Sequence, residues 1–393
     1  MSDEAPQPGP MLPVMAVSLV VLAVCLLTIE DYGISWDEKV QRDYGVLAAD
    51  YFRTVGEDKR CNNYLNLRYY TPAYETFLHV VAQHVAPWQL GPPAYPTPLA
   101  GEYAVRHTLN SLVGVSALVA TGCVARVAQR WRPSAPPPVV AVLILAAIPR
   151  FHGHFFANTK DIPFAAAFTW SMVGIFYTLD AVCPGSVQSR PVPAGSSGVV
   201  LRLPWCWGIV TAAAVGFTVS LRSAGLLLLP IAVVGLLATL VNAYATQDKV
   251  RLPQPTRALA WVALTASIMW LGMVALWPAA LEAPLSHPVQ TVLESVHFST
   301  VVRMRFSGEE AWSNMLPRRY YLEMFGVTLP LPTVICICGG LAQAICTVVA
   351  RRGAAPTATS AERPQVDRRL TVDVPLMLII MWASMPMLMF IAK

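Results

Sequence analysis

The sequence predicts an all-α polytopic membrane protein. Residues of the apolar and aromatic classes make up 55% of the chain and charged residues only 13%, against about 25% charged in ordinary soluble domains. Mean hydropathy is +0.50. Apolar runs recur along the whole length, and the unusual polar residues fall between them. A net charge of +5 with no Lys/Arg cluster interleaved with aromatics excludes a nucleic-acid partner.

Nine runs are candidate spans: 11–29, 108–128, 137–149, 163–181, 204–220, 224–245, 258–277, 326–350 and 375–392. The first, Met11–Ile29, carries no charge and at ~1.5 Å per residue nearly covers a hydrocarbon core of ~30 Å. Its flank holds Asp3 and Glu4 but no Lys or Arg, and no Ala-x-Ala site follows it directly. It therefore reads as an uncleaved first membrane helix rather than a signal peptide. The runs 137–149 and 204–220 are at or below the length needed to span.

Short-loop charges set the orientation. Arg130 and Arg132, Arg190 and Arg202, Lys249, Arg251 and Arg257, and Arg351, Arg352, Arg363, Arg368 and Arg369 fall in four loops. With nine spans and the N-terminus inside, all four are cytoplasmic, as the positive-inside rule prefers. The opposite, outer face then collects the first extracytoplasmic loop 30–107, the short loop 150–162, the turn at Arg222 and the later loop 278–325.

Loop 30–107 carries its own pattern. Val40, Tyr44, Leu47, Tyr51 and Phe52 form one helical stripe within Glu38–Val55; Tyr74, Phe77, Leu78, Val81 and Val85 form another within Thr71–Val85. Both predict amphipathic helices at the membrane interface. Prolines between Gln89 and Pro98 favour extended or turn structure. The cysteines form no framework: Cys25, Cys123, Cys206, Cys336, Cys338 and Cys346 lie in apolar runs, Cys61 and Cys183 in different loops, and no disulfide is expected.

The stretch Ser35-Trp36-Asp37-Glu38 follows the first span directly. Ser-x-x-Glu is a capping box, with Ser35 as N-cap and Glu38 reaching back to its N–H. Asp37 is then a candidate catalytic carboxylate with Glu38 in support, and a carboxylate in a first helical turn is also favoured by the helix dipole alone. The loop Arg150–Ile162 packs His152, His154, Asn158, Lys160 and Asp161 between apolar segments. Asp161 and Lys160 could be a helix-start acid and an interfacial anchor. His152 and His154 could pair on a metal with Asp161, but two ligands without a matched third make a weak site. Arg222 is the only charge between Leu203 and Gln247, placed to snorkel to headgroups or to clamp a phosphate with its planar fork. The loop 278–325 adds His287, Glu294, His297, Arg303, Arg305 and the pair Tyr320-Tyr321, which suits an aromatic belt. There is no P-loop, GxGxxG, HExxH or GxSxG.

An acidic pair after the first helix, "NTKDIP" before the fourth, a lone Arg at the next outer turn and "RYYLEMFGVTLPLP" entering a later span resemble the polyprenyl-phosphate-sugar-dependent membrane glycosyltransferases of the GT-C fold type. The nearest group is the protein O-mannosyltransferase and aminoarabinose-transferase superfamily, and the resemblance covers about residues 11–345. It implies a GT-C-like bundle in a single domain, 1–393. A dolichyl or undecaprenyl phosphate sugar would be the donor, and a hydroxyl on a protein or glycolipid the acceptor. It carries over Asp37 as base, Glu38 and Asp161 as further acids, and Lys160, Arg222 and Arg150 as candidates for the leaving phosphate. His152, His154, Asn158, Tyr320 and Tyr321 are candidate donor or acceptor contacts. No cofactor or metal is required by such a reaction. The membrane would be a bacterial plasma membrane or the endoplasmic reticulum. One departure stands out: relatives usually carry more spans and often a C-terminal outer domain, whereas this sequence stops as its ninth run ends. A transporter, or a non-catalytic assembly partner, is the competing class.

Overall fold

The computed structural model describes residues 10–85, 100–131, 135–183, 199–246, 250–296, 301–353 and 373–392. The proline-rich stretch 89–98, His297 and the loop cations Arg132, Arg190, Lys249, Arg363, Arg368 and Arg369 lie outside these residues. The described residues are mostly helical. Strand is confined, among the described residues, to a two-residue parallel pairing of Val199–Val200 (β1) with Val250–Arg251 (β2) and a hairpin of Arg303–Phe306 (β3) with Glu309–Trp312 (β4).

The chain is an integral, multi-pass membrane protein by its helices. Leu12–Asp31, Gly101–Gln129, Asp161–Val182, Ser223–Ala245 and Pro255–Val274 are each long and apolar enough to cross a bilayer, five among the described residues, or up to seven if each of two bent pairs is one span. Trp205–Leu221 and Val374–Met385 are shorter apolar helices.

The two bent pairs correct the expected straight runs. The predicted span 137–149 ends in α5 (Pro138–Ala146), and the chain then turns by 71° into α6 (Pro149–Ala157). Pro149 has no N–H to continue the ladder, and it drives Ile148 to an extended ψ of 108°. The run 326–350 breaks likewise: α13 (Arg319–Thr328) and α14 (Leu331–Gly353) meet at 117° across Leu329-Pro330.

Helix α1 (Leu12–Thr28) packs on α4 (Ala100–Trp131) and α5, with Val14 buried against Gly122. From α4 the chain builds a neighbour series, α4 to α7 (Asp161–Val182), α7 to α8 (Trp205–Leu221), and α8 to α10 (Pro255–Val274). Phe168, Met172, Phe176, Val215, Met273 and Trp277 fill the seam between them. Helix α9 (Leu228–Thr246) and α15 (Val374–Ala392) close one flank. Leu259, Val262 and Leu271 on α10 stay exposed, as side chains facing lipid should.

The first long loop forms the two expected helices, α2 (Glu38–Arg53) and α3 (Ala73–Val85), but their apolar faces are covered by protein. The α2 stripe of Val40, Tyr44, Leu47, Tyr51 and Phe52 closes over Cys61 and Leu67 in the connecting loop. On α3 the buried face is rotated from the expected one. Tyr74 and Leu78 pack on Leu221, while Phe77 and Val85 are exposed and Glu75 and His79 are buried. The reason is that α3 is wedged between α2 and α4. Gly45 permits this approach, since a Cβ there would stand 2.6 Å from the Glu75 carbonyl oxygen.

Short helices α11 (Pro278–Glu282) and α12 (Ser286–Val296) follow α10 and lock the loop before α3. Trp277 Nε1 and His287 Nε2 both reach the Arg68 carbonyl, each at 2.9 Å.

Candidate functional site

Three helix ends converge on one end of the bundle: the start of α2, the start of α7 and the end of α8. Their charged residues form a chain of alternating sign. Lys160 Nζ lies 2.8 Å from Asp37 Oδ2, and Arg222 Nη2 lies 2.7 Å from Asp161 Oδ1. Lys160 and Asp161 are consecutive, so the two pairs are one unit, Asp37–Lys160–Asp161–Arg222. Each of the four side chains is partly exposed, between 31% and 54%. Such pairs are worth little to stability, about 0.2–1 kcal/mol, and can exchange partners with a ligand.

The turn carrying Lys160 and Asp161 is built by Asn158. Its Oδ1 accepts from the Asp161 N–H at 2.8 Å and the Lys160 N–H at 3.2 Å, which caps the start of α7. Its amide nitrogen donates to Asp161 Oδ2 at 2.9 Å and to His154 Nδ1 at 2.8 Å. Asn110 of α4 anchors the same turn by donating to the carbonyls of Phe155 and Asn158, at 2.9 and 3.2 Å. At the far side, Arg222 has extended backbone between α8 and the tight turn Ser223–Leu227. Gly225 fits there because a Cβ would meet the Val219 nitrogen at 2.7 Å.

The capping box forms by half. Glu38 Oε2 accepts from the Ser35 N–H, but Asp37 occupies the N-cap position of α2 and no side chain caps the helix. The other Glu38 oxygen is 2.6 Å from His107 Nε2, and both side chains are fully buried. Glu38 is therefore a buried partner of α4, one residue behind Asp37, and not a second open carboxylate.

A small cleft of about 30 Å³ is lined by Lys160 and Arg222 together with Gln41, Tyr44, Tyr70 and Glu75. Glu75 is bound by Arg106 and by the Thr159 hydroxyl, and Arg106 is fully buried. Burial raises the Tyr44 and Tyr74 hydroxyls well above the usual phenol range, with the Cys61 and Glu75 charges adding to it respectively, so both stay protonated.

Several expected contacts lie apart. His152 turns to Cys25 at 3.4 Å and to the rings of Phe155 and Phe156, away from His154. The two imidazoles therefore do not converge on Asp161, and no group of three or more His, Cys, Asp or Glu side chains assembles among the described residues. Arg150 is exposed at the start of α6 and makes no ion pair with the described residues. Tyr320 packs edge-on to Phe306 of the hairpin and to Tyr321. The cysteines form no disulfide among the described residues.

Sequence reasoning passed over Gln41, Glu75, Arg106, His107, Asn110 and Thr159. The signal for three of them was present: Arg106, His107 and Asn110 lie at the start of an apolar run, where buried charge and amide are costly without partners. Placing the loop boundary at 107 hid it, because α4 begins at Ala100.

No known protein family, curated protein or solved structure matches this chain. The resemblance drawn from its motifs rests on the residues themselves.

Proposed function

We propose that this protein transfers a sugar from a polyprenyl phosphate donor to a hydroxyl acceptor at the extracytoplasmic or lumenal face. The observation that carries the reading is the unit Asp37–Lys160–Asp161–Arg222 at the mouth of a cleft, at the end of a bundle of apolar helices. A hydroxyl is a poor nucleophile. Asp37 is a carboxylate that can take its proton as C1 of the sugar is attacked. The bond from C1 to the phosphate oxygen breaks as the new glycosidic bond forms, and one such displacement inverts the anomeric centre. Lys160 and Arg222 take the departing lipid phosphate by exchanging their carboxylate partners for its oxygens. That exchange also frees Asp37 to act. Asp161, released from Arg222 and still held by Asn158, orients the acceptor or the sugar. The lipid tail lies along the apolar helix faces. In this reading the broken and short helices count with the long ones, giving nine spans with the unit on the outer side.

The two bent apolar pairs favour a second reading, a transporter, in which discontinuous helices border the substrate path. Reconstitution into proteoliposomes separates the two. Transfer of radiolabel from a panel of polyprenyl-phosphate sugars to an acceptor supports the enzyme, and solute flux without transfer supports the transporter. Neither activity would leave a non-catalytic assembly partner.

A further inference from the structure

Asn158 uses both ends of its amide. Its Oδ1 is committed to two backbone N–H groups, those of Lys160 and Asp161, at 3.2 and 2.8 Å. That fixes which end faces the other way. The amide nitrogen points to Asp161 Oδ2 at 2.9 Å and to His154 Nδ1 at 2.8 Å. An amide nitrogen only donates, so His154 Nδ1 is the acceptor, and the neutral imidazole carries its proton on Nε2. His154 lies in the last turn of α6, and its carbonyl accepts the Asn158 N–H at 3.2 Å, which holds the ring and the amide side by side. A proton on Nδ1 sets N–H against NH₂. The contact is regained only by turning the amide over. That takes Oδ1 away from the two N–H groups that start α7, and the nitrogen away from Asp161.

We propose that His154 is a positioning residue for the phosphate site: its neutral form, acting through Asn158, holds Lys160 and Asp161 in place, and its protonation releases them. This rests on the proposed function and adds a proton-sensitive control to the same site. Helix α6 packs on α4, α5 and α7. Helix α5 carries no titratable side chain. From α4, Asn110 and Ser111 face the carbonyls at the end of α6, Asn110 reaching that of His154 at 3.4 Å, and His107 one turn earlier is buried on Glu38. Helix α7 brings Lys160 and Asp161, paired with Asp37 and Arg222. On α6 itself Arg150 stands one turn before His154, and His152 turns to Cys25 of α1. Among the described residues, Asn158 is the hydrogen-bond partner of the His154 ring.

The test is equilibrium binding of citronellyl methyl phosphate to the purified full-length chain in detergent, at pH 8 and pH 5.5. The single charge of this diester does not change across that interval, in which imidazoles ordinarily titrate. The wild-type chain should bind about fivefold less tightly at the lower pH, the loss of one net hydrogen bond. His154→Phe keeps a ring but has no acceptor, and it should bind as weakly at both pH values as the wild type does at pH 5.5. His154→Asn puts an amide oxygen where Nδ1 stood. It should recover the tighter binding and keep it at both pH values. A side chain that merely filled space would leave the phenylalanine variant binding like the wild type. Asn158→Ala removes the amide itself and should also bind weakly at both pH values, which gives the same comparison should a His154 variant not fold. If the folded His154→Phe binds like the wild type at pH 8, if His154→Asn weakens with acid as steeply as the wild type, or if the wild type does not weaken, the positioning role is overturned while the phosphate site stands. If the diester fails to bind the folded wild-type chain at pH 8, the lipid-phosphate reading falls and the control with it.

Discussion

Lys160 Nζ and Asp37 Oδ2 lie 2.8 Å apart although 123 positions separate them in the chain. The contact joins the start of α2 to the turn before α7 and holds the proposed base in a pair with a cation. In the proposed reaction a base held this way is poor until its partner moves, so proton removal is expected to depend on arrival of an anion at Lys160. Asp37→Asn retains the shape and much of the hydrogen bonding but removes the proton acceptor. Transfer is expected to fall by about 10²–10⁴-fold with donor binding kept near normal. Parent-like turnover of Asp37→Asn would remove the base from this position.

The cations at the mouth are tested by donor affinity. Arg222→Ala and Lys160→Ala should each weaken binding of a polyprenyl phosphate, each loss being about 1.5–3 kcal/mol for a hydrogen bond to a charged group. Arg222→Lys should recover only part, because an ammonium does not replace a bidentate fork. Unchanged affinity in both alanine variants would place the phosphate elsewhere.

Glu38 and Glu75 should respond as structural groups. Each is buried against a basic side chain of α4, Glu38 on His107 and Glu75 on Arg106. Arg106→Leu leaves the Glu75 carboxylate buried without its cation and is expected to cost about 3–5 kcal/mol, read as loss of folded protein in thermal or denaturant melts. The double variant Glu75→Leu/Arg106→Leu should regain much of that loss. A double variant no more stable than the single one would argue against the pair as the source.

Acid should loosen the α12 side of the site. His287 is buried on the Arg68 carbonyl, and desolvation holds its pKa below the usual histidine value of 6.5. The unfolded chain therefore binds more protons than the folded one once pH falls below that value, and stability is lost as pH drops through it. Melting temperature should decline between pH 7.5 and 5, and His287→Gln should flatten this decline. An equally steep decline in that variant would assign the effect to other groups.

Topology gives a further check. Single cysteines placed near Asp37, Asp161 and Arg222 should all react with an impermeant reagent from the same, non-cytoplasmic face. Labelling of one of the three only from the cytoplasm would break the unit apart.

Much of this protein was written into its composition and periodicity. Charge-free runs such as Met11–Ile29 can only be stable where water is absent, so the membrane class needed no tertiary information. Helices at Glu38–Arg53 and Ala73–Val85, and the start of α7 at Asp161, followed from local spacing and helix-start residues. Proline positions carried the breaks at Ile148-Pro149 and Leu329-Pro330 too, but a hydropathy run averages across a bend. Which charges meet was decided only by packing. Asp37 finds Lys160, and Asp161 finds Arg222, because α2, α7 and α8 end at one level of the bundle. Glu38 turned inward because His107 faces it from α4, a helix that begins well before its apolar run. Pairings of this kind depend on distances between segments far apart in sequence, and no local pattern encodes those distances.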